Sequence, residues 1–240
     1  MNLAIIAANL AVFFLLQVPS EAFTYAFSTI PFEITSGTDL VGPQAIPLPD
    51  GTSETLVHQP GPSPIWLTLF SSMFMHGGYE HIFGNMLFLF IFGDNIEKAL
   101  GMVKYAAFYL VCGVLASLAH VLSAPESTIP SLGASGAISG VLAAYLVFFP
   151  HNRVRVLMGF RYVTQVPALL MIGLWAVLQF VNGLSSIAVS AQTSGVAWFA
   201  HIGGFIAGAI LAFLLRPTAD RGTPTPVGTE LWGGGSRRPI

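Results

Sequence analysis

Three groups of polar residues interrupt otherwise apolar stretches of this 240-residue chain: His81 with Asn85, the run Gly133-Ala134-Ser135-Gly136, and His201. Such side chains are expensive to bury in apolar segments and mark function by default. A serine hydroxyl is a poor nucleophile until a neighbouring base takes its proton, and histidine is the usual base. Ser135 is the candidate nucleophile and His201 the candidate base. His81 and Asn85 share one face of a helix at i and i+4. From there Asn85 could donate a side-chain N–H to a developing oxyanion, helped by backbone N–H groups around Ser135 and by His81 as a second donor.

The composition says what must carry these groups. Hydrophobic residues make up 54% of the chain and charged ones 8%, against roughly a quarter charged in a soluble domain. So few charges cannot cover a water-soluble surface, and a disordered chain would show the opposite composition. The net charge of −2 leaves no basic footprint for nucleic acid, and the lone Cys112 excludes a disulfide framework or a Cys-rich metal site. The expectation is an all-α, polytopic integral membrane protein with no cofactor and no metal.

A spanning helix needs about 20 mostly apolar residues. Six segments come close: Asn2–Val18, His81–Ala99, Tyr105–Leu122, Ser135–Phe149, Pro167–Leu184 and Val196–Leu215. The first lacks the basic start of a cleaved signal peptide and reads as a true span. Trp66–Met75 is too short to cross and reads as an interfacial or re-entrant piece of the first loop. That loop carries many prolines and reads as irregular, and no internal repeat is visible. Residues 1–216 are expected to form one six-helix membrane domain, and residues 217–240 a flexible cytoplasmic tail.

The basic residues give a direction. Lys98 and Lys104 follow span two, Arg153, Arg155 and Arg161 follow span four, and Arg216, Arg221, Arg237 and Arg238 follow span six. The other connections carry no Lys or Arg, so both termini are expected in the cytoplasm. Spans two, four and six then run inward, which brings His81, Asn85, Ser135 and His201 to nearly one depth near the outer face. Asp94 and Glu97 fall at the opposite end of span two. With no carboxylate at the right depth, a Ser–His dyad is the economical reading. A hydrated cavity must open at that end of the bundle.

Each feature also has a plainer reading. Gly136 with Gly140, and Gly204 with Gly208, fit the small-xxx-small pattern of close helix packing. Asn85 could be interhelical glue, and His201 a hydrogen-bonding strut. His58, His120 and His151 read as solvated, and Trp66, Trp175 and Trp198 as interfacial or packing aromatics. His76 with His81 does not make an H-E-x-x-H metal array. A transporter would place polar residues at several depths, and a non-catalytic client-binding protein would not need Ser135.

The combination of His81-Ile-Phe-Gly-Asn85, Gly133-Ala-Ser135-Gly136 and Ala200-His201-Ile-Gly203-Gly204, in order on spans two, four and six, resembles the rhomboid family of intramembrane serine proteases. The resemblance implies a six-transmembrane-helix bundle with a dyad at Ser135 and His201. It also implies an oxyanion hole from His81, Asn85 and the Ser135 amide, and transmembrane-protein substrates cut in or beside their helices. Gly133, Gly136, Gly203, Gly204 and Gly208 would serve close packing near the site, the last three between spans six and four. The first loop, with Trp66–Met75, would form a membrane-embedded side structure, and the connection at about 185–195 a cap over the site. Many members have an aromatic residue one turn after the serine, stacked on the histidine. Here Ser139 stands there, so what orients His201 is open. A Trp-Arg pair of the first loop is also absent. A prokaryotic plasma (inner) membrane is the expected location, since no transit peptide is visible, with an organelle membrane as the open alternative.

Overall fold

In the computed structural model, residues 1–47, 52–158, 162–188 and 197–219 are described. The expected cap at about 185–195 and the tail after residue 219 therefore lie mostly outside the described residues, as does Arg161. Helix α1 (Asn2–Val12) continues through a π turn, Phe13–Gln17. Two short helices follow, α2 (Glu21–Phe27) and α3 (Pro31–Ser36), then the hairpin β1 (Gly42–Pro47) and β2 (Ser53–His58). A single turn, α4 (Thr68–Ser71), lies between 3-10 turns at Ile65–Leu67 and Ser72–Phe74. Helix α5 (Tyr79–Phe88) runs on through a π turn, Leu89–Gly93, into α6 (Asp94–Leu100). The long α7 (Met102–Ser123) and the buried α8 (Ser135–Phe148) are next. A second hairpin, β3 (Arg153–Met158) with β4 (Tyr162–Pro167), leads to α9 (Ala168–Ala188) and α10 (Trp198–Leu215).

Among the described residues three helices are long and apolar enough to cross a membrane: Met102–Ser123, Ala168–Ser185 and Trp198–Leu215. Shorter apolar helices occupy Asn2–Gln17, Ile65–Phe74 and Ser135–Phe148. Leu174, Val177, Phe180, Ile210 and Phe213 point outward from α9 and α10, fully apolar and more than half exposed. A surface of that kind belongs in lipid, and the protein is an integral membrane protein.

Helix α8 is the hub. Every residue from Gly136 to Tyr145 is buried, the pattern of a helix apolar all round and enclosed by others. Glycines bring its neighbours close. A Cβ at Gly204 would overlap the Gly136 carbonyl, and one at Gly208 would overlap the Gly140 backbone. On the other side a Cβ at Gly136 would lie 2.6 Å from the Ala116 Cβ of α7, and one at Gly140 2.6 Å from Cys112 Sγ. Gly203 departs from expectation, because it faces α7 at Ala119 rather than α8. It lies one residue, and so about 100° of helical turn, from Gly204.

Polar side chains tie α1 to the bundle. Glu97 accepts from the Met1 amino group at 2.6 Å and from the Asn2 N–H at 2.7 Å, satisfying free donors at the start of α1. The Asn2 amide donates to the Leu89 carbonyl at 3.0 Å, where the π turn begins, and accepts from Tyr105 Oη at 2.6 Å.

Two hairpins depart from the all-α expectation. In β1–β2 the pairing runs from Gly42 with His58 to Pro47 with Ser53, so the proline-rich first loop carries regular structure. In β3–β4, Arg153 and Arg155 point out and Val154 is buried, a period-two alternation. His58 is buried rather than solvated, 1% exposed, and neither ring nitrogen has a hydrogen-bond partner among the described residues. Burial lowers its pKa. Glu33 in α3 is 2% exposed. Its carboxyl is pushed up to about 7 by burial, against the opposing hydrogen bond from the Leu40 N–H and with Asp39 nearby.

Candidate active site

The first loop builds the approach to Ser135. Thr29 and Ser131 form a two-way backbone bridge at 3.0 and 2.8 Å. The Thr29 hydroxyl meets Ser72 Oγ at 2.8 Å, and the Gly133 N–H donates to the Ser72 carbonyl at 2.9 Å. Gly133 has φ of +138°, a conformation that side chains rarely adopt. A Cβ there would also lie 2.9 Å from His81 Cε1. Gly133 is thus the turn before the helix, not a helix-packing glycine as expected. It leads into Ser135, the first residue of α8, where backbone N–H groups have no partner inside the helix and the dipole favours negative charge. A small cavity of about 20 Å³, room for about one water, lies here among Ser72, Ser131, Gly133, Ser135 and Gly136.

Helix α10 brings His201 to this point as its fourth residue. Its Nε2 lies 2.7 Å from Ser135 Oγ, across 66 residues of sequence. Its Nδ1 lies 2.7 Å from Oε1 of Gln179 on α9. An amide oxygen only accepts, so Nδ1 carries the proton. Nε2 then presents its lone pair to the serine hydroxyl, the arrangement a general base requires. Among the described residues no carboxylate is hydrogen-bonded to His201. The ring is flanked by Trp175, at a centroid distance of 6.1 Å, and by Trp198, edge-on at 6.3 Å.

His81 stands opposite. The Gly77 N–H donates to its Nδ1 at 3.1 Å, so the neutral ring carries its proton on Nε2. A Cβ built at Gly133 would be 3.2 Å from that Nε2 and 3.4 Å from Ser135 Oγ, which places both groups around one spot. Asn85, one turn further along α5, is 8% exposed, and its Nδ2 has no hydrogen-bond partner among the described residues. The ring of His76 packs against His81 at 5.2 Å, while Gln17 holds the His76 backbone on both sides at 3.2 and 2.8 Å. Among the described residues there is no group of three or more His, Cys, Asp or Glu placed to hold a metal ion.

Sequence reasoning missed Gln179, and it read Trp175 and Trp198 as general aromatics. The signal for Gln179 was an amide inside an apolar run, the same signal that picked out Asn85. Ser139, at the position where an aromatic was looked for, turns its hydroxyl to the Ser135 carbonyl at 2.6 Å. The aromatic walls of His201 come from α9 and α10 instead.

The sequence profile described as a rhomboid domain matches residues 64–218, which include His81, Asn85, Gly133, Ser135, Gln179 and His201. The chain belongs to the rhomboid family. It is similar to RHOMBOID-like protein 5 of Arabidopsis thaliana, 32% identical over 62% of this chain and 44% of that protein. Rhomboid protein 1, mitochondrial, of Saccharomyces cerevisiae is 29% identical over 65% of this chain and 43% of that protein. RHOMBOID-like protein 1 of Arabidopsis thaliana is 29% identical over 89% of this chain and 53% of that protein. The rhomboid chain thus spans about half the length of these relatives.

Proposed function

We propose that this rhomboid protein is an intramembrane serine endopeptidase that hydrolyses peptide bonds in or beside the transmembrane helices of other membrane proteins. The single observation carrying the reading is the 2.7 Å approach of Ser135 Oγ to the unprotonated Nε2 of His201. In the reaction His201 takes the hydroxyl proton as Oγ attacks the scissile carbonyl carbon. The oxyanion is met by His81 Nε2–H, Asn85 Nδ2–H and the free N–H groups at the start of α8. Imidazolium then gives its proton to the leaving amine, and water activated by the same histidine releases the acyl group from Ser135. A helix hides its carbonyls in hydrogen bonds, so substrates with locally unstable spans are favoured.

In this reading residues 1–216 form one membrane domain with six spans. Asn2–Gln17, the rod from Tyr79 to Leu100 and Ser135–Phe148 join the three longer helices, with both termini cytoplasmic. The basic residues at Lys98, Lys104, Arg153, Arg155 and Arg216 support this orientation. It puts the Ser135 site near the outer face of the membrane.

The test is cleavage of a transmembrane peptide by purified protein, together with fluorophosphonate labelling. Wild type is expected to cleave and to label on Ser135. Ser135→Ala is expected to fold and do neither. Cleavage retained by Ser135→Ala overturns the assignment.

A further inference from the structure

We infer that Gln179 is the positioning residue of the serine–histidine pair: its Oε1 holds the His201 ring in the tautomer and the flip that aim Nε2 at Ser135 Oγ. The inference rests on the serine-protease reading and adds to it the group that completes the site.

Rotation about the last torsion of a histidine is soft and roughly two-fold. Trp175, tilted, and Trp198, edge-on, confine the ring, but neither is hydrogen-bonded to a ring nitrogen among the described residues. Walls of that kind do not distinguish a ring from its flipped form. A hydrogen bond on Nδ1 does. With Oε1 facing Nδ1, the ring is in its Nδ1–H form; the alternative tautomer would require the Gln179 amide to turn over and donate its NH2 instead. That form leaves Nε2 free to take the serine proton.

The surroundings of Gln179 support a dedicated role. It lines a groove of about 300 Å³ between α9 and α10, whose other walls include Trp175, Val177, Phe180, Phe205 and Ile206. A primary amide in such a place is costly unless hydrogen-bonded. One turn along, a Cβ at Gly183 would sit 2.8 Å from the terminal Ile202 Cδ1 methyl and 3.5 Å from Trp198 Cβ, so α9 and α10 face each other at this level. The Gln179 side chain spans from one helix to the other at 2.7 Å from His201 Nδ1. The acceptor is neutral, so the imidazolium formed during reaction is met by a dipole and not by a counter-charge. A carboxylate in the same place would change the pH dependence, which separates this role from simple packing.

The experiment compares wild type, Gln179→Leu and Gln179→Glu in detergent. It measures kcat and KM on a transmembrane peptide, the rate of fluorophosphonate labelling of Ser135, and thermal unfolding, from about pH 5 to 9. Gln179→Leu is expected to lower kcat and labelling by about 10–100-fold with KM within about twofold. Gln179→Glu is expected to recover most of the rate and to move the acid limb of the profile up by about one pH unit. Wild-type rates in Gln179→Leu overturn the inference, and so does a folded Gln179→Glu whose pH profile is unshifted. Should Gln179→Leu fail to fold, the profile of Gln179→Glu still decides. Ser135→Ala separates the two levels. If it is inactive while Gln179→Leu is fully active, only the positioning role falls. If it still cleaves, the protease reading falls with it.

Discussion

Gly204 of α10 lies against the carbonyl of Gly136 on α8, with no room for a Cβ between them. Gly136 follows Ser135, and Gly204 is three residues after His201, so this contact sets the separation of hydroxyl and imidazole. Gly204→Ala is expected to push α10 away, costing about 1–3 kcal/mol through overpacking and lowering activity further than the stability loss explains. Gly173→Ala on α9 is the control, because a Cβ there meets nothing within 4 Å. It should raise stability by about 0.5–1 kcal/mol, as expected for glycine replaced inside a helix, with activity unchanged. Thermal unfolding and cleavage rates of the two variants check both outcomes.

Gly133→Ala should be damaging for two separate reasons. The φ of +138° is strained for any side chain, at about 1–3 kcal/mol, and the new Cβ would press on His81 Cε1 at 2.9 Å. His81→Ala opens that space but leaves the strain. The double variant should therefore recover part of the lost stability and none of the activity. A double-mutant cycle on unfolding temperature reads the coupling, and full additivity would argue against the contact.

Much of the candidate site was legible because apolar context isolates polar residues. His81, Asn85, Ser135 and His201 stood out for that reason, and the structure gathers Ser135, His201 and His81 at the starts of their helices. Gln179 sends the same signal, but its meaning depends on how α9 is rotated, which one span's periodicity does not reveal. The conformation of Gly133 was equally hidden, since a glycine before a helix reads the same whether it supplies flexibility or a positive φ. The β3 alternation of Arg153-Val154-Arg155 was readable at period two, but those arginines served only to orient the spans. The direction of Gly203 was lost because adjacent glycines share a pattern and differ only by their angle around the helix.

Glu33 is expected to make the first loop sensitive to pH. Its carboxyl titrates at about 7 when folded and at 4.5 ordinarily. A raised value means the folded loop binds the proton more tightly. The contribution is fully present below about pH 4.5 and is lost as pH rises through about 7. His58, lowered by burial, acts in the opposite sense, losing its contribution as pH falls below its ordinary value. Glu33→Gln keeps an acceptor for the Leu40 N–H and removes the titration. Hydrogen exchange across residues 30–40, corrected for intrinsic rates, should accelerate between about pH 4.5 and 7 in wild type and not in Glu33→Gln. Identical profiles would show that the Glu33 charge is not what the loop responds to.

Asn85 Nδ2 is a buried donor with no partner among the described residues, and such a group costs about 1–3 kcal/mol in the resting protein. If its partner is the oxyanion, the deficit is relieved in the transition state, and removing the donor should cost rate without costing stability. Asn85→Ala is expected to lower kcat by about 10²–10³-fold with little change in KM, while its unfolding temperature stays near wild type. Asn85→Asp sharpens the distinction. It keeps the shape but sets an acceptor against the developing negative charge, so it should be at least as impaired as Asn85→Ala. If Asn85 were only interhelical glue, both variants would lower the unfolding temperature, and kcat per folded molecule would hold. Active-site titration with a fluorophosphonate supplies the folded, competent fraction, and the corrected kcat decides between the two.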